Sequence, residues 1–134
     1  MIIDPKELLV WVDLETTGLD QDFNMMGCIQ HKILEIGVHI TDGKLNIIDE
    51  GLNIVIHHDI DDVLNISSPY VIQMHTNNGL FEKVKESTVS LNDAENIIID
   101  HLKKYGVEKG ISPICGNNIS FDKNFINAQM PGIK

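Results

Sequence analysis

Leu8-Leu9-Val10-Trp11-Val12 is an apolar run that passes directly into Asp13-Leu14-Glu15-Thr16-Thr17-Gly18-Leu19. Five such residues are too few to span a bilayer and too rich in β-formers for a helix start, so they predict a strand buried on both faces. Side chains alternate along a strand, and Asp13 and Glu15, two apart, therefore project from one face toward one point. Two unpaired carboxylates at the end of an apolar strand repel each other and resist ionising together, a conflict that a cation between them removes. Oxygen donors with no neighbouring Cys and no ligand-spaced His suit Mg²⁺ or Mn²⁺ better than zinc. Thr16-Thr17-Gly18 ends the strand, Gly18 leaves room for a ligand to approach the backbone, and Leu19 adds an apolar surface beside it. Taken alone, Asp13-Leu14-Glu15 favours a plainer reading, a strand running into a polar turn with both acids solvated.

At 134 residues the chain suits one domain, 1–134, of mixed α/β type. Its 43% apolar and 22% charged residues are ordinary for a globular protein, and no stretch is long and apolar enough to cross a bilayer. The net charge of −10 argues against a protein that grips long nucleic acid, since such binding draws its energy from neutralising phosphates. A short substrate held through metal ions needs no basic field. Cys28 and Cys115 form no C-x-x-C pair and suit free thiols in a reducing compartment. Residues 1–7 show neither a secretory signal nor the Arg-rich character of a transit peptide, so the cytoplasm is the expected location.

Further along, Asp20 to Lys32 reads as a long polar loop. Ile33 to Thr41 alternates, with Leu34, Ile36, Val38 and Ile40 on one face, and predicts a half-buried strand. Asp42-Gly43 predicts a hairpin, and Leu45 to His57 the returning strand or strands, bent at Gly51. Short helices are expected over Asp61 to Gln73 and Leu80 to Lys85, with breaks at Pro69 and Asn77-Asn78-Gly79. Ser90 to Tyr105 carries a cap of the S-x-x-D kind and an apolar face of Ala94, Ile97, Ile98, Leu102 and Tyr105. A strand over Ile111 to Cys115, a turn at Gly116-Asn117-Asn118 and a helix from Phe121 to Met130 complete the pattern.

A third acid, Asp122, follows Ser112-Pro113-Ile114-Cys115-Gly116-Asn117-Asn118-Ile119-Ser120-Phe121. By itself it is a helix-start acid favoured by the dipole. The run Val12 to Leu19, however, resembles the first motif of the DEDD 3′→5′ exonucleases, and Ser112 to Asp122 resembles their second. Ser112 to Asn117, Ile33-Leu34-Glu35-Ile36-Gly37 and His75-Thr76-Asn77-Asn78-Gly79-Leu80 are similar to the oligoribonuclease branch of the DEDDh group, over about Leu8 to Met130. The resemblance implies a ribonuclease H-like mixed sheet, an antiparallel meander with flanking helices, here C-terminally truncated.

It also implies two divalent ions about 3.5–4 Å apart on the scissile phosphate, with Asp13 bridging them, Glu15 on one and Asp122 on the other. Thr16, Thr17, Gly18, Leu19, Tyr70, His75 and Asn118 would contact substrate, Leu19 and Tyr70 by sandwiching the bases of a dinucleotide. Tyr70 stands where the branch usually has tryptophan, Asn118 where it has serine, and the loop after Leu19 is longer than the family's. A third motif, H-x-A-x-x-D, is expected after Asp122 and would supply the general base and a fourth carboxylate. Residues up to Lys134 do not contain it, so the expectation is a fragment of an active enzyme, or a natural short form, with feeble or no activity. Implied partners are single-stranded RNA of di- to pentanucleotide length and, for the full-length family, a second copy in a homodimer. The alternatives are a DNA-directed proofreading or trimming exonuclease, and a non-catalytic nucleotide-binding module.

Overall fold

In the computed structural model, residues 4–19, 21–116 and 119–133 are described. Among them four strands form one sheet in the order β3-β2-β1-β4: β1 (Leu9–Thr16), β2 (Ile33–Thr41), β3 (Leu52–Val55) and β4 (Ile114–Cys115). β1 runs antiparallel to β2 and β2 to β3, the expected meander, whereas β4 joins β1 in parallel. A parallel neighbour needs a crossover, and the helices between β3 and β4 provide it.

β1 is buried on one face only, a correction to the sequence reading. Val10, Val12, Leu14 and Thr16 are buried, while Leu9, Trp11, Asp13 and Glu15 on the other face keep solvent contact. The buried face joins Ile36, Val38 and Ile54 and is covered by Ala94 and Ile98 of α6 (Leu91–Lys104) and Phe125 and Ile126 of α7 (Ile119–Gln129). Burying each such side chain stabilises the fold by about 1.5–3 kcal/mol. Polar side chains occupy the other face, which receives a second apolar layer where Leu34 meets Val63, Leu80, Phe81 and Val84. These residues come from α3 (Ile60–Ile66) and α5 (Leu80–Glu86), with α4 (Pro69–Asn77) between them. A register shift between Glu15 and Thr16 explains why Leu34 leaves the face it was expected to share with Ile36.

The segment expected to be a loop after Leu19 instead forms two short turns, α1 (Asp22–Met25) and α2 (Gly27–Gln30). In α1 the backbone is left-handed at Phe23, Asn24 and Met25. Gln129 Nε2 donates to the Cys28 and His31 carbonyls at 2.8 and 2.7 Å, fastening this segment to α7. The return strand is also shorter than expected. Asp42 accepts hydrogen bonds from Lys44 N–H, Asn46 N–H and the Asn46 side chain, which widens the hairpin into a loop. Asp49 then turns inward to His101 at 2.8 Å, and an isolated bridge, Thr41 with Ile47, precedes β3.

α6 starts as expected, with Ser90 Oγ accepting the Asp93 N–H at 3.0 Å. His101 takes the inward position assigned to Ile97, which is 40% exposed. Pro69 opens α4 rather than ending a helix, because its missing N–H is harmless in the first turn. No helix among the described residues is long and apolar enough to cross a membrane.

Candidate active site

Asp13 and Glu15 stand on the open face of β1, paired in register with Gly37 and Glu35 of β2. Asp13 is exposed and Glu15 half-buried. Asp122 arrives from the first turn of α7, which packs on β1, and is only 4% exposed. β4 pairs with Val10 and Trp11 and stops there, so the Leu14 amide beyond its end has no strand partner and donates to the Asp122 carboxylate instead. Gly116, which follows β4, lies so close to β1 that a Cβ there would be 2.7 Å from the Val12 carbonyl oxygen and 3.0 Å from Asp122 Oδ2. Glycine is the residue that this approach permits.

Burial and neighbouring carboxylates oppose the ionisation of Asp122 and of Glu15. Burial, then the charge of Asp13, push the Asp122 carboxyl up to about 6; the Leu14 amide pulls the other way and Glu15 adds to the rise. Burial also raises Glu15, opposed by nearby His75 and reinforced by Asp13 and Glu35. The charges of Asp13 and Glu15 therefore reach Asp122. Among the described residues, no three His, Cys, Asp or Glu side chains are grouped closely enough to hold a metal ion as they stand.

Beside the acids opens a cleft of about 470 Å³, walled by Leu14, Glu15, Thr16, Gly18, Leu19 and Asp22 on one side and by Ser68, Tyr70, Val71 and Met74 with Phe121 on the other. Ser68 caps α4 by accepting the Val71 N–H, and the helix so started presents Tyr70 at 74% exposure, with Leu19 at 50%. The two residues expected to enclose bases thus line one cleft.

Other expected contacts lie differently. Thr16 Oγ1 donates to the Gly18 carbonyl at 2.7 Å, and Thr17 is fully buried with its hydroxyl engaged by the segment before β2. Both hydroxyls are engaged in shaping the turn, although Thr16 itself lines the cleft. His75 is also fully buried, with Nε2 3.1 Å from the Thr16 carbonyl oxygen and its ring edge-on to Phe81. Direct contact with a ligand in the cleft is closed to it; it supports the backbone that carries Glu15. Asn118 lies outside the described residues. Sequence reasoning missed Asp22, Ser68, Val71, Met74 and Phe121 as cleft residues. For Phe121 the signal was adjacency to Asp122, and for Ser68 it was the cap before Pro69.

Comparison with known proteins follows the same lines. The RNase_T family description, an exonuclease, matches residues 10–134. An oligoribonuclease of Corynebacterium diphtheriae is 40% identical over 96% of this chain and 58% of its own length. One from Actinobacillus pleuropneumoniae is 42% identical over 93% and 63%. A probable oligoribonuclease of Dictyostelium discoideum is 39% identical over 98% and 64%. The chain thus spans about three fifths of the length of these relatives.

Among solved structures, the nuclease domain of 3′hExo, a DEDDh family member bound to rAMP, superposes with a TM-score of 0.65 at 16% identity, over 95% of this chain and 60% of that one. The Mg²⁺- and Mn²⁺-bound form of S. pombe Pop2p gives 0.69 at 17%, over 92% and 54%. At such identities these two attest the fold, the ribonuclease H-like α/β arrangement expected from the sequence. The family match over nearly the whole chain shows that this protein belongs to the RNase_T exonuclease family.

Proposed function

We propose that this chain carries the metal- and nucleotide-binding site of a 3′→5′ exoribonuclease that shortens di- to pentaribonucleotides to mononucleotides. One observation carries the reading: the charges of Asp13 and Glu15 reach the buried Asp122, and Glu15, together with Phe121 next to Asp122, lines a cleft that Leu19 and Tyr70 share. Relatives about 40% identical and named oligoribonuclease favour RNA over DNA as the substrate.

The donor set fits hard divalent cations. All three groups are carboxylates, their mutual repulsion is relieved by positive charge, and Mg²⁺ commonly keeps several waters beside one or two carboxylates rather than needing an all-protein cage. Asp13, Glu15 and Asp122 would hold the ions. When bound, divalent ions in such sites grip the phosphodiester, make water nucleophilic at neutral pH and stabilise the leaving oxygen. The chain's own residues do the rest of the binding. Tyr70 offers a stacking surface worth about 1–3 kcal/mol per base, and Leu19 offers an apolar one. Above about pH 6 Asp122 is ionised and available to a cation. His75, through the Thr16 carbonyl, keeps the end of β1 in position.

The test is a titration of the 134-residue chain with a ribodinucleotide and, separately, a single-stranded deoxy-oligomer, with Mn²⁺ and with EDTA, followed by product analysis. The proposal expects Mn²⁺-dependent binding that favours the ribodinucleotide, with mononucleotide as the product of any turnover. Binding indifferent to Mn²⁺, or preference for the deoxy-oligomer, overturns it. Tight Mn²⁺-dependent binding with no cleavage at any Mn²⁺ concentration supports a binding module instead.

A further inference from the structure

Running inward from the wall of the cleft at Asp22, three side chains other than Asp13, Glu15 and Asp122 form a continuous hydrogen-bond chain. Thr17 Oγ1 lies 2.7 Å from His31 Nδ1, and His31 Nε2 lies 2.8 Å from Asp22 Oδ2. Thr17 and His31 are 0% and 3% exposed. Thr17 Oγ1 also accepts the Lys32 N–H at 3.0 Å, and Asp22 Oδ2 also accepts the Leu19 N–H at 3.0 Å.

The ionised Asp22 carboxylate can only accept, which fixes the direction of the inner bonds for a neutral imidazole. Lys32 donates to Thr17, the Thr17 hydroxyl donates to His31 Nδ1, and His31 Nε2–H donates to Asp22. Neutral imidazole with its proton on Nε2 satisfies every member; a second proton on Nδ1 takes away the acceptor of a fully buried hydroxyl. The order hydroxyl, imidazole, carboxylate is that of a hydrolytic triad. Thr17 is nevertheless sealed from solvent and its oxygen is occupied by the Lys32 amide, so it presents no nucleophile.

What the chain does control is the turn between its ends. Gly18 and Leu19 lie between Thr17 and Asp22, and both line the cleft. The imidazole packs so tightly on Gly18 that any Cβ there would collide with Nε2 and Cε1 of His31. Phe23 lies against the ring, its centroid 5.0 Å away, and Gln129 of α7 holds the His31 carbonyl.

We propose that His31 is a positioning residue for nucleotide binding: by bridging Thr17 to Asp22 it sets the Gly18–Leu19 turn, and with it the Leu19 wall of the base-binding cleft. The inference rests on reading that cleft as the nucleotide site. Asp22, at one end of the bridge, fixes Leu19 through the Leu19 amide.

The experiment uses the 134-residue chain with His31→Ala and the milder Asp22→Asn, whose amide oxygen still accepts from Leu19 and His31. Three quantities are measured: ribodinucleotide affinity in Mn²⁺, Mn²⁺ affinity without nucleotide, and exchange of the Leu19 amide, with ¹⁵N shifts of His31 in the unaltered chain. Losing one or two buried hydrogen bonds predicts about tenfold weaker dinucleotide binding for His31→Ala. Mn²⁺ affinity should stay within about twofold, Leu19 exchange should be faster, and added imidazole should restore part of the affinity. Asp22→Asn should fall between, and the ¹⁵N shifts should show Nε2 protonated and Nδ1 not. The inference is overturned if dinucleotide affinity is unchanged, if Mn²⁺ affinity drops by the same factor, or if His31 carries its proton on Nδ1. An unaltered chain that binds no dinucleotide overturns the nucleotide reading of the cleft instead.

Discussion

Asp122→Asn should stabilise the metal-free protein while removing a metal ligand. The carboxyl is raised from 3.8 to about 6, mainly by burial and then by Asp13. That difference corresponds to at most about 3 kcal/mol between the two protonation states. Its sign follows from proton counting. Between pH 4 and 6 the folded state holds this proton and the unfolded state has released it, so stability falls as pH rises through that window and levels off above it. Asparagine stays neutral, and its Oδ1 still accepts the Leu14 amide. In EDTA at pH 8 the variant should therefore gain up to about 3 kcal/mol, and less than about 1 kcal/mol near pH 4. Urea unfolding reads this directly, because a gain of that size moves the midpoint by about 1 M or more. A variant no more stable than the parent at pH 8, or a difference that does not shrink on acidification, would refute the electrostatic picture of the site.

Tyr70→Ala should weaken ribodinucleotide binding by about 1–3 kcal/mol without changing the unfolding midpoint, since the ring is mostly exposed; calorimetry with parallel denaturation checks both. Gly18→Ala should displace the imidazole beneath it and reproduce the dinucleotide defect of His31→Ala, checked by the same titration. Phe125→Ala, at a fully buried position between α7 and the sheet, should cost about 3–5 kcal/mol in urea unfolding. Ser90→Ala removes the cap of α6 and should cost about 1 kcal/mol by the same measurement.

The main lines of the site were legible because they rest on local rules. Alternation along β1 put Asp13 and Glu15 on one face, and the cap at Ser90 and the breaks at Pro69 and Gly79 bounded their helices. Asp122 was visible only through resemblance, since a helix-start acid looks alike whether it faces solvent or a sheet. What escaped detection depends on contacts distant in the chain. The shift at Glu15 and Thr16 turns Leu34 to the other layer, and nothing in the alternating pattern of β2 signals it. The unbroken apolar run from Leu8 to Val12 suggested a doubly covered β1, but its second face carries the acids and is left open. The polar segment after Leu19 gave no hint that His31 and Asp22 would lock onto Thr17, because each bond pairs residues nine or more positions apart. Asp49 was hidden for the same reason, its partner His101 lying on the far side of three helices.

Mn²⁺ binding by the unaltered chain and by Asp13→Asn, Glu15→Gln and Asp122→Asn, each at pH 8, tests the shared-cation reading most directly. The account predicts saturable binding that every one of the three substitutions weakens, and that fades as pH falls through about 6. Binding left intact by any one of them, with the variant folded, would contradict it.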